Sequence, residues 1–149
     1  SIAVRELLPT RTVTDEDIKL YKYLFKNNTK VQHICHEPED IDLLSEILEK
    51  AYIEKDGTWC LFVIGHYTGK ISDPNKISLY LERLEKNKFN ADWAICAFDK
   101  EEFSCLKEAI KLGGKIRVGF ENSLMLPNGE MAPDNETKIK IIKEELNIN

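Results

Sequence analysis

"LGGKIRVGFENSLML", Leu112 to Leu126, is an apolar run with two charges of opposite sign set into it. Alternation along a strand places Arg117, Gly119 and Glu121 on one face, and Ile116, Val118 and Phe120 on the other. A buried guanidinium is costly unless an anion pairs with it, so Arg117 calls for a carboxylate, from the protein or from a ligand. Glu121 stands at the carboxyl end, where a hard oxygen ligand for a metal or a general base would sit. Gly119 between them gives a ligand close access to the backbone. An Arg–Glu ion pair at a strand rim is the simpler explanation, and the residues alone leave both open.

Working outward, this strand is the last of five that alternate with helical stretches. "IAVREL" (Ile2 to Leu7), "KVQHIC" (Lys30 to Cys35), "TWCLFVIG" (Thr58 to Gly65) and "DWAICAF" (Asp92 to Phe98) read as the other four. The helical segments carry their own punctuation: Thr14 as an N-cap with acids after it, Pro38 and Pro74 at helix starts, and Gly113 or Gly114 where a left-handed C-cap wants glycine. Strand runs are almost continuously apolar, as in parallel sheets covered on both faces. Five βα units fit an open doubly wound sheet, and they are three too few for a (β/α)₈ barrel. The two long loops, "HYTGKISDP" and "ENSLMLPNGEMAPDN", follow strands, at the carboxyl ends where α/β proteins bind ligands.

The chain has 149 residues, 42% hydrophobic and 32% charged, the composition of one globular α/β domain over 1–149. A net charge of −5 argues against nucleic acid or an anionic membrane as partner. Lys138, Lys140 and Lys143 read as a mixed, solvated helix face. The apolar run Thr58 to Gly65 is too short to span a bilayer, and no signal-peptide pattern is visible. Cys35, Cys60, Cys96 and Cys105 have no CxxC spacing and read as small buried hydrophobes of a reducing compartment, so the expected location is cytoplasmic.

"GGKIRVGFEN", followed by "MAPDNETKI", resembles the carboxyl-terminal signature of the beta-keto acid cleavage enzyme family, metal-dependent (β/α)₈ barrels that react a β-keto acid with acetyl-CoA. "LFVIGHYTG" and "DWAICAFDKEEFSCLKEAIKLGG" resemble the two preceding family strands, and the likeness covers most of the chain from about Thr58 onward. The fold it implies is the last five βα units of a TIM barrel. It further implies that Glu121 is a ligand to a divalent metal, typically zinc, and that Arg117 is the catalytic arginine engaging the keto acid carboxylate. Asn122 stands where the family often has Asp, and it can hydrogen-bond without supplying charge. His33 lies on the strand where family members carry a glutamate, and Gly65 ends the strand before the first long loop. Asn122, His33 and Gly65 are taken as substrate contacts. Glu6, on the opposite side of its strand from Arg5, is taken as a network carboxylate. CoA is expected over the loops around Tyr67 to Asp73.

The family's remaining metal ligands form a His-x-His motif on an early strand, and no such motif occurs among the three histidines here. His33 and His36 are three apart on one strand and point to opposite faces. His66, alone at a strand end, reads as a loop histidine. The expected function is therefore the C-terminal part of a β-keto acid cleaving enzyme, active when an amino-terminal part completes it. The alternative is a catalytically inactive remnant or a regulatory α/β module. Either reading leaves strand edges to be covered, by that amino-terminal half or by self-association.

Overall fold

The computed structural model describes residues 1–66 and 68–148. Its five strands are β1 (Ile2–Ala3), β2 (Gln32–Cys35), β3 (Trp59–Ile64), β4 (Asp92–Ala97) and β5 (Lys115–Ile116). They form one parallel sheet in the order β1-β2-β3-β4-β5. This order chooses between the two architectures left open by the sequence. A doubly wound sheet reverses its strand order at a switch point, whereas here each strand lies beside the one before it, as in a barrel wall. The sheet is not closed. Among the described residues, no helix is long and apolar enough to cross a membrane.

The helices are α1 (Val4–Leu7), α2 (Asp15–Lys26), α3 (Asp40–Ala51), α4 (Lys76–Lys86), α5 (Glu102–Lys111) and α6 (Asn135–Leu146). Their ends follow the expected chemistry. Thr14 and Asp17 form a capping box at α2. Asp134 caps α6 by accepting from Thr137 N at 2.7 Å. Gly113 follows α5 at φ +84°, and Gly114 N–H reaches back to Ala109 O at 2.9 Å, which is the C-terminal closure glycine permits.

The chain divides into two compact units, Ser1–Phe62 with Ser78–Trp93, and Val63–Ile77 with Ala94–Asn149. In the first unit the register pairs His33 with Cys60 and Cys35 with Phe62, so these four side chains share one face of the sheet. Helices cover that face: Tyr21 of α2 stacks on His33 at 5.7 Å and Tyr80 of α4 on Phe62 at 4.6 Å. In the second unit Ala94 pairs with Lys115 and Ile95 with Ile116. Arg117, two residues beyond Lys115, continues the face that carries Ala94 and Cys96.

Three expectations about local structure change. The first strand stops at Ala3, and Arg5 and Glu6 lie on the one-turn helix α1, so strand alternation does not separate them. The strand read as Lys115 to Phe120 ends at Ile116. Its backbone continues with one ladder bond, Arg117 N to Ile95 O at 2.8 Å, and then turns, with Asn122 N and Ser123 N both donating to Gly119 O. β5 ends the strand order and has a strand partner on one side only, so little holds it extended. Finally, the loop after it contains a small hairpin. Leu126 N bonds Glu130 O at 2.8 Å, Ala132 N bonds Leu124 O at 2.8 Å, and Pro127, Asn128 and Gly129 make the turn.

Candidate functional site

At the carboxyl end of β5 the turn Gly119–Ser123 brings Arg117, Glu121 and Asn122 together. Arg117 Nη2 donates to Glu121 Oε2 at 2.5 Å and to Asn122 Oδ1 at 3.4 Å. Both contacts leave from one nitrogen, Nη2, and neither uses the N–H groups of Nη1 or Nε. The Arg117 side chain is 36% exposed and that of Glu121 78%, so the pair opens to solvent instead of sitting in the core. Asn122 is buried, and its Nδ2 has no hydrogen-bond partner. The groups that a ligand can reach here are the guanidinium and the Glu121 carboxylate.

Cys96 lies against this cluster on the same face. Burial pushes its thiol up to about 11, with Arg117 and the Asn122 amide favouring the thiolate and Glu121 opposing it. It is therefore a neutral thiol near neutral pH, and an inert wall. Residue type and spacing had marked it only as a small hydrophobe, and its nearness to Arg117 follows from the β4–β5 register.

Gly65 follows β3 at φ +86°, and a Cβ there would come within 2.3 Å of Ser72 Oγ and 2.9 Å of Lys70 O. Ser72 explains the crowding. It is buried, donates to Ile64 O at 2.8 Å and accepts from Phe98 N at 2.9 Å, so one hydroxyl joins the segments that follow β3 and β4. Gly65 thus has a packing reason to be glycine, independent of any ligand. Tyr67, in the loop expected for CoA, lies outside the described residues.

Glu6 and His33 belong to the first unit. Glu6 is exposed on α1. His33 is 1% exposed and faces α2, with Nδ1 3.1 Å from Trp59 O and Nε2 without a partner. The ring packs in the core of this unit, against Tyr21. Burial lowers its pKa to about 4 from 6.5. The folded state thus resists protonation, and between pH 6.5 and 4 the unfolded chain binds more protons. Stability is fully present above pH 6.5 and falls as pH drops through that window. The expected loss from this residue between pH 7 and pH 5 is about 2 kcal/mol. Urea unfolding of His33→Gln should show that much less change between the two pH values, and an unchanged slope would exclude His33 as its source.

Lys138 is the largest departure on this side of the fold. Expected on a solvated helix face, it is 0% exposed. Its ammonium pairs with Glu102 Oε2 at 2.7 Å and donates to Ser123 O, one residue past Asn122. Helical period alone could not reveal this, because the neighbouring positions on α6 are a mixture of lysine and isoleucine.

For a divalent metal, the donor set is partial. Glu121 offers an exposed carboxylate, and no group of three His, Cys, Asp or Glu side chains converges among the described residues. These residues fit one arm of a metal site and not a whole one.

The model of the beta-keto acid cleavage enzyme family matches residues 11–147. A curated relative, the 3-keto-5-aminohexanoate cleavage enzyme of Acetoanaerobium sticklandii, is 24% identical over 131 residues, which cover 85% of this chain and 46% of the relative. The chain thus spans about half the length of the relative it matches. With the sequential parallel sheet and the Arg117–Glu121–Asn122 turn at its carboxyl end, the match over nearly all of the chain places it in the beta-keto acid cleavage enzyme family.

Proposed function

We propose that this chain is the carboxyl-terminal part of an enzyme that cleaves a β-keto acid at a carbon–carbon bond, with acetyl-CoA as co-substrate. An amino-terminal part bearing a His-x-His pair would complete it, as a preceding segment or as a separate chain. The observation that carries the reading is the Arg117–Glu121–Asn122 turn: a half-buried cation, an open buried amide donor and an exposed carboxylate at one strand end. Exposed apolar side chains on helices support a missing neighbour. In the first unit Leu20, Tyr23 and Phe25 of α2 are exposed, and in the second Ile139 of α6.

Each residue then has a task. Arg117 binds the substrate carboxylate through N–H groups that Glu121 and Asn122 do not use, and Asn122 Oδ1 helps hold the guanidinium in place. Glu121 supplies one oxygen ligand to a divalent metal, zinc by family resemblance, with the two histidines from the completing part. The metal, when bound, supplies a Lewis acid for the keto carbonyl. Asn122 and the neutral Cys96 thiol cannot take a proton at neutral pH, so proton transfer falls to a carboxylate outside this turn.

The test is reconstitution. The isolated chain is expected to bind zinc weakly, and the chain joined to an amino-terminal part with a His-x-His motif to hold about one zinc per complex by mass spectrometry. That complex should cleave a β-keto acid in the presence of acetyl-CoA. A complex that forms without metal and without turnover would favour the regulatory module, which the partial donor set of this chain also allows.

A further inference from the structure

We propose that the first turn of α6, through Asn135 and Lys138, together with Glu102 of α5, is a clamp that positions the substrate-binding turn Gly119–Ser123. Its consequence for catalysis rests on the reading above, but the clamp itself does not. Asn135 and Lys138 are three residues apart on a helix and therefore lie on the same side. Asn135 Oδ1 accepts from Phe120 N at 2.9 Å, at the start of the turn. Lys138 Nζ donates to Ser123 O, at its end. Between these anchors Asn122 and Ser123 donate to Gly119 O, and Asn122 O accepts from Asp99 N at 3.3 Å. Phe120 N and Ser123 O are thus held by α6, and Asn122 O by the segment that leads into α5.

Stability alone does not account for the pair at the centre of this clamp. Lys138 is 0% exposed and Glu102 is buried, while Glu102 Oε1 has no partner. Desolvation pushes the Glu102 carboxyl above the usual range, against the pull of Lys138. Replacing a buried ion pair by neutral groups of similar volume is often neutral or stabilising, so two apolar residues would fill this space as well. What they would not provide is a donor for Ser123 O. An ammonium has three protons to place, and the carboxylate takes only part of that capacity. Lys138 is accordingly a positioning residue: it acts on substrate through Ser123, Asn122 and Glu121 and touches none of the reacting atoms.

The experiment compares Lys138→Met with the double variant Lys138→Met/Glu102→Gln. The single variant leaves Glu102 buried and uncompensated and should lower the urea midpoint. The double variant should recover that midpoint, yet amide exchange at Phe120 to Ser123 should quicken on the order of 10-fold, and the Asn122 side-chain amide signals should shift. In the completed enzyme it should raise KM for the keto acid more than it lowers kcat. A double variant with the wild-type midpoint and unchanged exchange across the turn overturns the proposal. If it does not fold, Asn135→Ala decides. That exposed substitution should leave the midpoint alone and quicken exchange at Phe120, and unchanged exchange there sinks the clamp. Because exchange is read on the chain itself, an inactive complex with a confirmed clamp would count against the proposed function and not against the clamp.

Discussion

Glu121→Gln in the completed enzyme is expected to lower zinc affinity by more than about 100-fold while leaving the fold intact. Outer-shell partners of metal ligands already cost 10- to 100-fold when removed, and a direct ligand that loses its charge should cost more. Glutamine keeps the size of the side chain and one oxygen, so the substitution isolates the charge. The fold should not notice, because the Glu121 side chain is 78% exposed and its bond to Arg117 spans one turn at the surface. Such exposed pairs contribute roughly 0–1 kcal/mol. Chelator competition on wild type and variant, alongside urea midpoints, separates the two effects. Zinc affinity within a few-fold of wild type would remove Glu121 from the metal site. A fallen midpoint would instead give it the structural role of a rim ion pair.

How far the residues could be read depended on what surrounded them. The βα alternation was legible because buried parallel strands write themselves as apolar runs, as in β3, where Cys60 to Ile64 are all buried. Cap chemistry at Thr14 and Gly113 is local and was equally visible. Between barrel and doubly wound sheet the pattern was silent, since both are built from the same units. Strand order, a long-range property, made the choice. Alternation put Arg117 and Glu121 together for the wrong reason. The chain turns after Arg117, and they meet as residues four apart across that turn. Lys138 was illegible because its partners, Glu102 and Ser123, are 36 and 15 positions away by subtraction of residue numbers, and nothing on its own helix marks it as buried. His33 shows the converse: a histidine in an apolar strand belonged to the core, stacked on Tyr21.

Arg117→Lys should weaken β-keto acid binding to the completed enzyme by about 3 kcal/mol, on the order of 100-fold, without lowering stability. Lysine keeps the charge, so a role in long-range attraction or in the Glu121 pair would survive the change. It loses the planar fork, and with it the Nη1 and Nε donors that remain for a ligand while Nη2 holds Glu121 and Asn122. One ammonium cannot serve the turn and the ligand in the same geometry. The loss should therefore depend on the ligand's carboxylate: a β-keto acid should lose its affinity, and the corresponding neutral ester, weak for both proteins, should bind the two alike. Calorimetric titration with both ligands tests this directly. Equal losses for acid and ester would mean that Arg117 shapes the pocket without reading the carboxylate. No loss for either would leave Arg117 as one half of a surface ion pair.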